Sequence, residues 1–566
     1  MKKNLLKFLP EIFLAVVILL ILLPILKPGF FSIHDETHIV DVYEMFRSLS
    51  LGGFPPRFAP DFNFGLGHPY FNFYYHLPFY ITTLFHFLGF SLTDSFKYMM
   101  GIAVIFAGVG FYFFSKNHFS SSASALGAAI YILSPYFAVD LYVRGGLGEL
   151  AVFGSLPWCG YFIFKFVNNP GILKFVYLSI SIYLLAISHN VLHIFTFPLL
   201  FGYGLTLILM NKEKVFKKIL ILTLGFLSGI SLAGYYLFPA LLEKQFISEY
   251  EQINLLDHFP FIKQLIIPNF GYGISHWGPG DDLSFNIGVF NLLSVLLIII
   301  LFKFLPKQKK ILATFFLLVF IICIVLMNSR SYPFWNLNKT LRLFQFPWRM
   351  LLFTTFSTAF LAGLVFDYLP EKLKGLRKEY LFVFLFFAVV LTNIWYFKPS
   401  EHKTISDEKY LKLYFANRTT EGSGERKNLS PEYLNFAEDF IPPTKWQTKR
   451  LNDLPLNWVE ASSAAKISYE KRDGFGYKVN IDTETDNDLV IYTTYFPGWS
   501  AKIDKNSAPV FPFSEYGIMR VPVEKGVHEI VVEFKNTTVR SLSNLLSVVT
   551  LIALILAFTA KKFKLI

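Results

Sequence analysis

The chain is poor in charge and almost without cysteine. Only 16% of its 566 residues are Asp, Glu, Lys or Arg, where soluble domains run near a quarter. That deficit excludes a soluble enzyme, and so apolar a chain is no disordered one. Both cysteines, Cys159 and Cys323, fall inside apolar runs, which excludes a disulfide framework. There is no P-loop, no glycine fingerprint following a strand, no HExxH and no CxxC pair. The net charge of +12 is spread over short tracts between apolar runs, a placement that sets membrane topology and gives no sign of nucleic acid.

Apolar residues make up 54% of the chain, with 66 Phe. Runs of about 18 to 22 apolar residues recur, the length that crosses roughly 30 Å of hydrocarbon. They lie near 8–26, 96–114, 120–139, 148–167, 172–188, 192–210, 217–240, 286–304, 311–328, 348–369, 379–397 and 542–560. The first follows Lys2, Lys3 and Lys7 but lacks a small-residue cleavage site, so it reads as an uncleaved span. Basic tracts fall in every second connection, at Lys116, 165–174, 212–218, 303–310, 372–378 and the Lys561–Lys564 tail. This pattern predicts a plasma-membrane protein with both termini cytoplasmic and every long polar loop facing outward.

The expected fold is a polytopic α-helical membrane protein of about twelve transmembrane helices with a C-terminal extracytoplasmic β-sandwich. Residues 1–397 form the multi-span domain, with a first outer loop at 27–95 in which 78–90 reads as an interfacial helix. Residues 398–541 form a mostly-β domain, because their later part alternates with period two between Asp-Gly, Pro-Gly and Lys-Gly turns. Residues 542–566 supply the last helix and a basic tail. No related halves and no mid-span charges are evident, which argues against a transporter.

The polar motifs gather on the predicted outer face. His34-Asp35-Glu36 follows the first span and suits a general base, a hydroxyl ligand or part of a metal site. His68, Tyr74 and Tyr75 belong to an aromatic, Asn- and His-containing string that fits either a sugar or an interfacial belt. Arg144-Gly145-Gly146-Leu147-Gly148-Glu149 brings a cation, exposed backbone N–H groups and a carboxylate between two spans. His189 and Asn190 end another span. Gln345-Phe346-Pro347-Trp348-Arg349, with Arg342 upstream, opens a further one, where arginine either grips a lipid phosphate or snorkels.

These pieces, with Leu237-Phe238-Pro239-Ala240-Leu241-Leu242-Glu243, Thr419-Thr420 and Phe496-Pro497-Gly498-Trp499, give the chain a resemblance to a known group. It resembles the GT-C superfamily of membrane glycosyltransferases, and within it the YfhO-like proteins and the "6-pyruvoyl-tetrahydropterin synthase-related" membrane domain. One departure is Glu425 followed by Arg426-Lys427, where an aromatic and Leu-Pro are expected. The resemblance implies inverting transfer of a sugar from a polyprenyl-phosphate donor to a hydroxyl of an envelope polymer, lipid or protein. It implies Asp35 as base with Glu36 as its orienting partner or a substrate ligand, and Arg144, His189, Arg349 and Arg342 as candidate phosphate ligands. His34, His68, Tyr74, Tyr75, Glu149, Asn190, Gln345 and Trp348 are then candidate substrate ligands. No cofactor is assigned, a divalent cation (Mg or Mn) bridging the donor phosphate and the acidic pair is compatible with the motif, and metal ligands are unassigned. A flippase or exporter of lipid-linked saccharides and a non-catalytic envelope scaffold are the alternatives.

Overall fold

The computed structural model describes residues 8–63, 65–248, 254–337, 339–372, 378–415, 443–449, 457–472 and 475–562. Each of the twelve apolar runs forms a helix, which satisfies the backbone within the segment as a hydrocarbon setting requires. Among the described residues, eight helices are long and apolar enough to cross a membrane, from Leu92–Lys116 to Thr538–Lys562. Counted as one span, the pair Ser121–Ile132 and Pro135–Arg144, bent by 49°, makes a ninth. Leu9–Leu22, Ile172–Ala186 and Val289–Phe304 are shorter apolar helices. The segment Pro347–Tyr368 is almost wholly enclosed by the others. Leu77–Phe87, the helix predicted to lie flat, has 11 residues, about 16 Å and too short to span.

The body has two chemically distinct ends. At one, basic connections interlock: Lys309 Nζ donates to the carbonyl of His118 at 2.5 Å, and Lys116 pairs with Glu11 at 3.5 Å. Asp367 accepts from Ser120 N at 3.1 Å and Lys378 Nζ at 2.9 Å. At the other end lies the first loop, with its helix His38–Ser50.

Residues 398–415 belong with that loop. His402–Lys403 pairs antiparallel with Phe30–Phe31, Asp407 accepts from Leu92 N at 2.8 Å, and buried Tyr410 meets the Phe30 ring edge-on. The strands of the β domain start at Val459–Ala461. Thr419, Thr420 and Glu425 lie outside the described residues.

The β domain is a sandwich of two antiparallel sheets. One orders Val459–Ala461, Asn487–Thr494, Ile518–Val523 and Phe511–Phe513; the other orders Ala465–Arg472, Gly476–Thr483, Gly526–Phe534, Trp499–Ile503 and Asn506–Ala508. Alternate residues such as Val479, Ile481, Leu489, Ile491, Ile530 and Val532 fill the space between them, as the period-two pattern requires. Phe496 and Trp499 are core residues of the sandwich. Trp499 donates through Nε1 to Thr494 O at 3.2 Å and packs edge-on against Phe58 of the first loop.

The Leu237–Glu243 and Phe496–Trp499 motifs meet where loop, sandwich and last helix join. Glu243 Oε2 accepts from Arg540 Nε at 2.9 Å and Asn72 Nδ2 at 2.8 Å, and Oε1 accepts from Thr537 at 2.7 Å. Arg540 Nη2 reaches the carbonyl of Pro497 at 2.9 Å. Gly498, at φ +120°, would place a Cβ 2.5 Å from Lys535 O, so only glycine fits this turn.

Candidate active site

The bent helix pair ends in a π-helical turn, Val139–Arg144, a wide turn that recurs at functional sites. From it Arg144 Nη1 donates to Asp140 Oδ1 at 2.5 Å and to Glu149 Oε1 at 2.6 Å. Arg349 Nε donates to the same Glu149 oxygen at 2.8 Å, and its Nη1 to Phe344 O at 2.8 Å and Gln345 Oε1 at 3.2 Å. Tyr136 OH donates to the other Glu149 oxygen at 2.5 Å. All five ionic or phenolic side chains are buried. Two carboxylates thus face two guanidiniums, the pairing that burial of charge demands.

Aromatic faces complete the cluster. The Arg144 guanidinium stands 4.7 Å from the centroid of Trp348 and that of Arg349 4.9 Å from Phe346, while the two rings stack at 4.9 Å. Such contacts hold a guanidinium without consuming its N–H groups. Among the described residues, Nε and Nη2 of Arg144, Nη2 of Arg349 and the buried Nε1 of Trp348 have no hydrogen-bond partner.

The acidic motif is fastened to this turn by backbone. His34 N donates to Val143 O at 2.9 Å and Asp35 N to Arg144 O at 2.8 Å. Gly145, at φ +69°, would carry a Cβ 2.3 Å from Ile33 Cδ1, so glycine permits both the turn and the close approach. His34 Nε2 lies 2.9 Å from Tyr272 O, and Glu36 pairs with Lys403 at 3.5 Å. Asp35 is half-buried, and its carboxylate makes no bond among the described residues.

His189 lies across the turn. Its Nδ1 accepts from Val191 N at 3.2 Å, which leaves Nε2 as the donor in the neutral ring. Burial, reinforced by the positive charge of Arg349, pushes its pKa well below the imidazole range, so the ring stays neutral at pH 7. It stacks on Tyr75 at 5.4 Å, and Gly148 is the gap both rings occupy. Tyr75 OH lies 3.0 Å from His38 Nε2, and His38 Nδ1 lies 3.3 Å from Asp41 Oδ2. Burial opposes a charge on His38, yet Asp41 and Asp35 raise its pKa above the usual value.

No family model matches the chain. An uncharacterized protein of Lactococcus lactis subsp. cremoris (strain MG1363) is 28% identical over 306 residues, 52% of this chain and 48% of that protein. A mycobacterial arabinofuranosyltransferase, AftD, solved by electron cryomicroscopy, aligns with 68% of this chain over 27% of its own length, at TM-score 0.42 and 14% identity. The chain spans about half of the first and about a quarter of the second. The fold is that of a multi-pass membrane protein carrying a β-sandwich.

Of the expected site residues, Asp35, Arg144, Glu149, His189, Gln345, Trp348 and Arg349 converge, with Tyr75 behind them. Others sit elsewhere. His68 bridges Ala59 through its backbone in a loop whose Phe58 and Leu66 dock on the sandwich. Tyr74 is one rung of a ring ladder, 4.6 Å from Tyr70 and 4.4 Å from Tyr75. Asn190 accepts from Tyr236 OH at 2.8 Å, and Arg342 Nε donates to Asn336 at 2.8 Å. Sequence reasoning missed Tyr136, Asp140, His38 and Asp41. Asp140 carried a usable signal, a carboxylate four residues before an arginine at the edge of an apolar run. Among the described residues no group of three or more His, Cys, Asp or Glu side chains is placed to hold a metal ion.

Proposed function

We propose that the protein is a GT-C-type glycosyltransferase working on the outer face of the plasma membrane, with a polyprenyl-phosphate-linked sugar as donor. The observation that carries this reading is the bond from Asp35 N to Arg144 O at 2.8 Å, which couples an unengaged carboxylate to a cluster with unsatisfied N–H donors. Asp35 removes the proton of an acceptor hydroxyl as that oxygen attacks the anomeric carbon of the donor sugar. The bond from that carbon to the phosphate oxygen breaks, its electron pair leaves on the polyprenyl phosphate, and the anomeric carbon inverts. The remaining N–H groups of Arg144 and Arg349 and the His189 Nε2–H stabilise the departing phosphate charge. Neutral His189 donates without adding net charge. Glu149 orients both arginines. The outward assignment follows from the basic tracts at the opposite end, and the family from the motif set His34–Glu36, Arg144–Glu149 and Gln345–Arg349.

The test is mass analysis of envelope polymers and lipid-linked sugars from cells with and without the protein. Loss of a glycosidic substituent, with the matching lipid-linked sugar accumulating, is the expected result. Identical polymers with a lipid-linked sugar trapped on the inner leaflet would indicate a flippase.

A further inference from the structure

The loop before the helix Val289–Leu301 carries an apolar surface that the reaction does not use. Ile274 is 69% exposed, Ile262 60% and Trp277 59%, and Ile266 and Ile267 are about half exposed. The other side of the short helix Ile262–Ile266 is buried through Gln264 and Leu265. So many large apolar residues on one soluble loop would be costly to leave in water.

What covers this patch follows from its neighbour. Ile287 N donates to Leu265 O at 3.0 Å, which seats the short helix at the start of Val289–Leu301. That apolar helix turns Asn291 and Ser294 inward, each bonded to Thr358, and exposes Leu293, Leu296, Ile299 and Ile300 on its opposite, lipid-facing side. The exposed isoleucines of the loop are thus joined, through the Ile287–Leu265 bond, to the start of a helix that itself exposes an apolar stripe. Lys263 is exposed in the same turn, suited to lipid phosphate, and Trp277 suits the headgroup boundary. The other edge of the loop reaches the site. Tyr272 O lies 2.9 Å from His34 Nε2, and His258 bonds Ser275 at 2.7 Å while meeting the Phe346 ring edge-on at 4.8 Å.

We infer that residues 261–277 form a flap whose apolar face is seated in the acyl-chain and headgroup boundary of the bilayer, and that it ties the lipid leaflet to the His34-Asp35-Glu36 motif. The flap requires only that the chain lie in a membrane, so it stands or falls independently of sugar transfer.

The experiment places a single label on the full chain in nanodiscs. Ile274→Cys is modified with an environment-sensitive fluorophore; the native Cys159 and Cys323 are both buried, and unsubstituted protein serves as the labelling blank. Val527→Cys, an exposed residue at the start of the strand Gly526–Phe534, is the aqueous control. Phosphatidylcholine carrying a nitroxide high on the acyl chain should quench the Ile274 label at least about twofold more than the control. The Ile274 emission should also be blue-shifted. Water-like emission without nitroxide quenching would overturn the proposal. A blue shift without quenching would overturn it too, by indicating a protein surface or a second copy over the patch. An Ile267→Cys label repeats the reading if the first variant fails to fold.

Discussion

Arg349 donates from two nitrogens to three acceptors at once: Glu149, the Phe344 carbonyl and Gln345. A lysine keeps the charge but cannot reproduce that planar fork. Arg349→Lys should therefore insert normally yet lose about 10²-fold in transfer, measured with purified protein at subsaturating donor. An unchanged rate would reduce Arg349 to a structural anchor. His38 gives a second test, in stability. Its folded pKa lies above the unfolded value because Asp41 and Asp35 outweigh its burial. Arg144 opposes that charge from the turn, and Asp41 also accepts from Tyr70. The stabilisation is therefore complete below about pH 6.5 and is lost as pH rises through the raised folded value. Melting curves between pH 6 and 9 should show the native protein falling relative to His38→Gln as pH increases. Parallel curves would remove the charged-imidazole assignment.

The decisive element is the bent helix pair and its π-helical end. Gly145 combines a positive φ with the approach of Ile33, and an alanine there adds roughly 1–2 kcal/mol of backbone strain before the side-chain clash. Gly145→Ala should lower the melting temperature by a few degrees and loosen the Asp35 loop, seen as increased amide exchange at residues 33–36. Unaltered exchange would contradict the claim that this turn fixes the acidic motif. Much of this level was legible in the sequence. Gln345–Arg349, His34–Glu36 and Arg144–Glu149 stand out because polar residues at span ends contrast with the apolar runs beside them. The role of Glu149 as the shared acceptor was not legible, since nothing local reveals that residues 144 and 349 reach one oxygen. Asp140 stood one residue beyond the expected end of the span at 139, where a carboxylate reads as loop. His38, Asp41 and Tyr75 pair across the first loop, and short-range periodicity carries no information on that. The apolar helices were legible because hydrophobic length marks them, although among the described residues eight rather than twelve are by themselves long and apolar enough to cross a membrane; the packing of 398–415 onto the first loop depends on the two-residue pairing at Phe30–Phe31, too short to announce itself.

At the scale of the whole molecule, one buried carboxylate holds the sandwich, the first loop and the last helix together. Glu243, Arg540 and Arg57 are all buried, and Asn72 links Glu243 to Arg57. Glu243→Gln leaves two buried guanidiniums without that countercharge, a change worth about 3–5 kcal/mol. Limited proteolysis of the native protein and the variant should show the sandwich released early in the variant, and equal resistance would contradict the junction. The central claim, that Asp35 activates an acceptor beside a phosphate-binding cluster, is tested most directly on Asp35→Asn. Purified native and variant proteins in nanodiscs are given lipid-linked sugars extracted from cells lacking the protein, together with envelope polymer from the same cells. Binding of the lipid and formation of new glycosidic bonds are measured separately. The account predicts that the variant binds the lipid as the native protein does while transfer falls by about 10²–10⁴-fold. Native rates of bond formation in Asp35→Asn would contradict it.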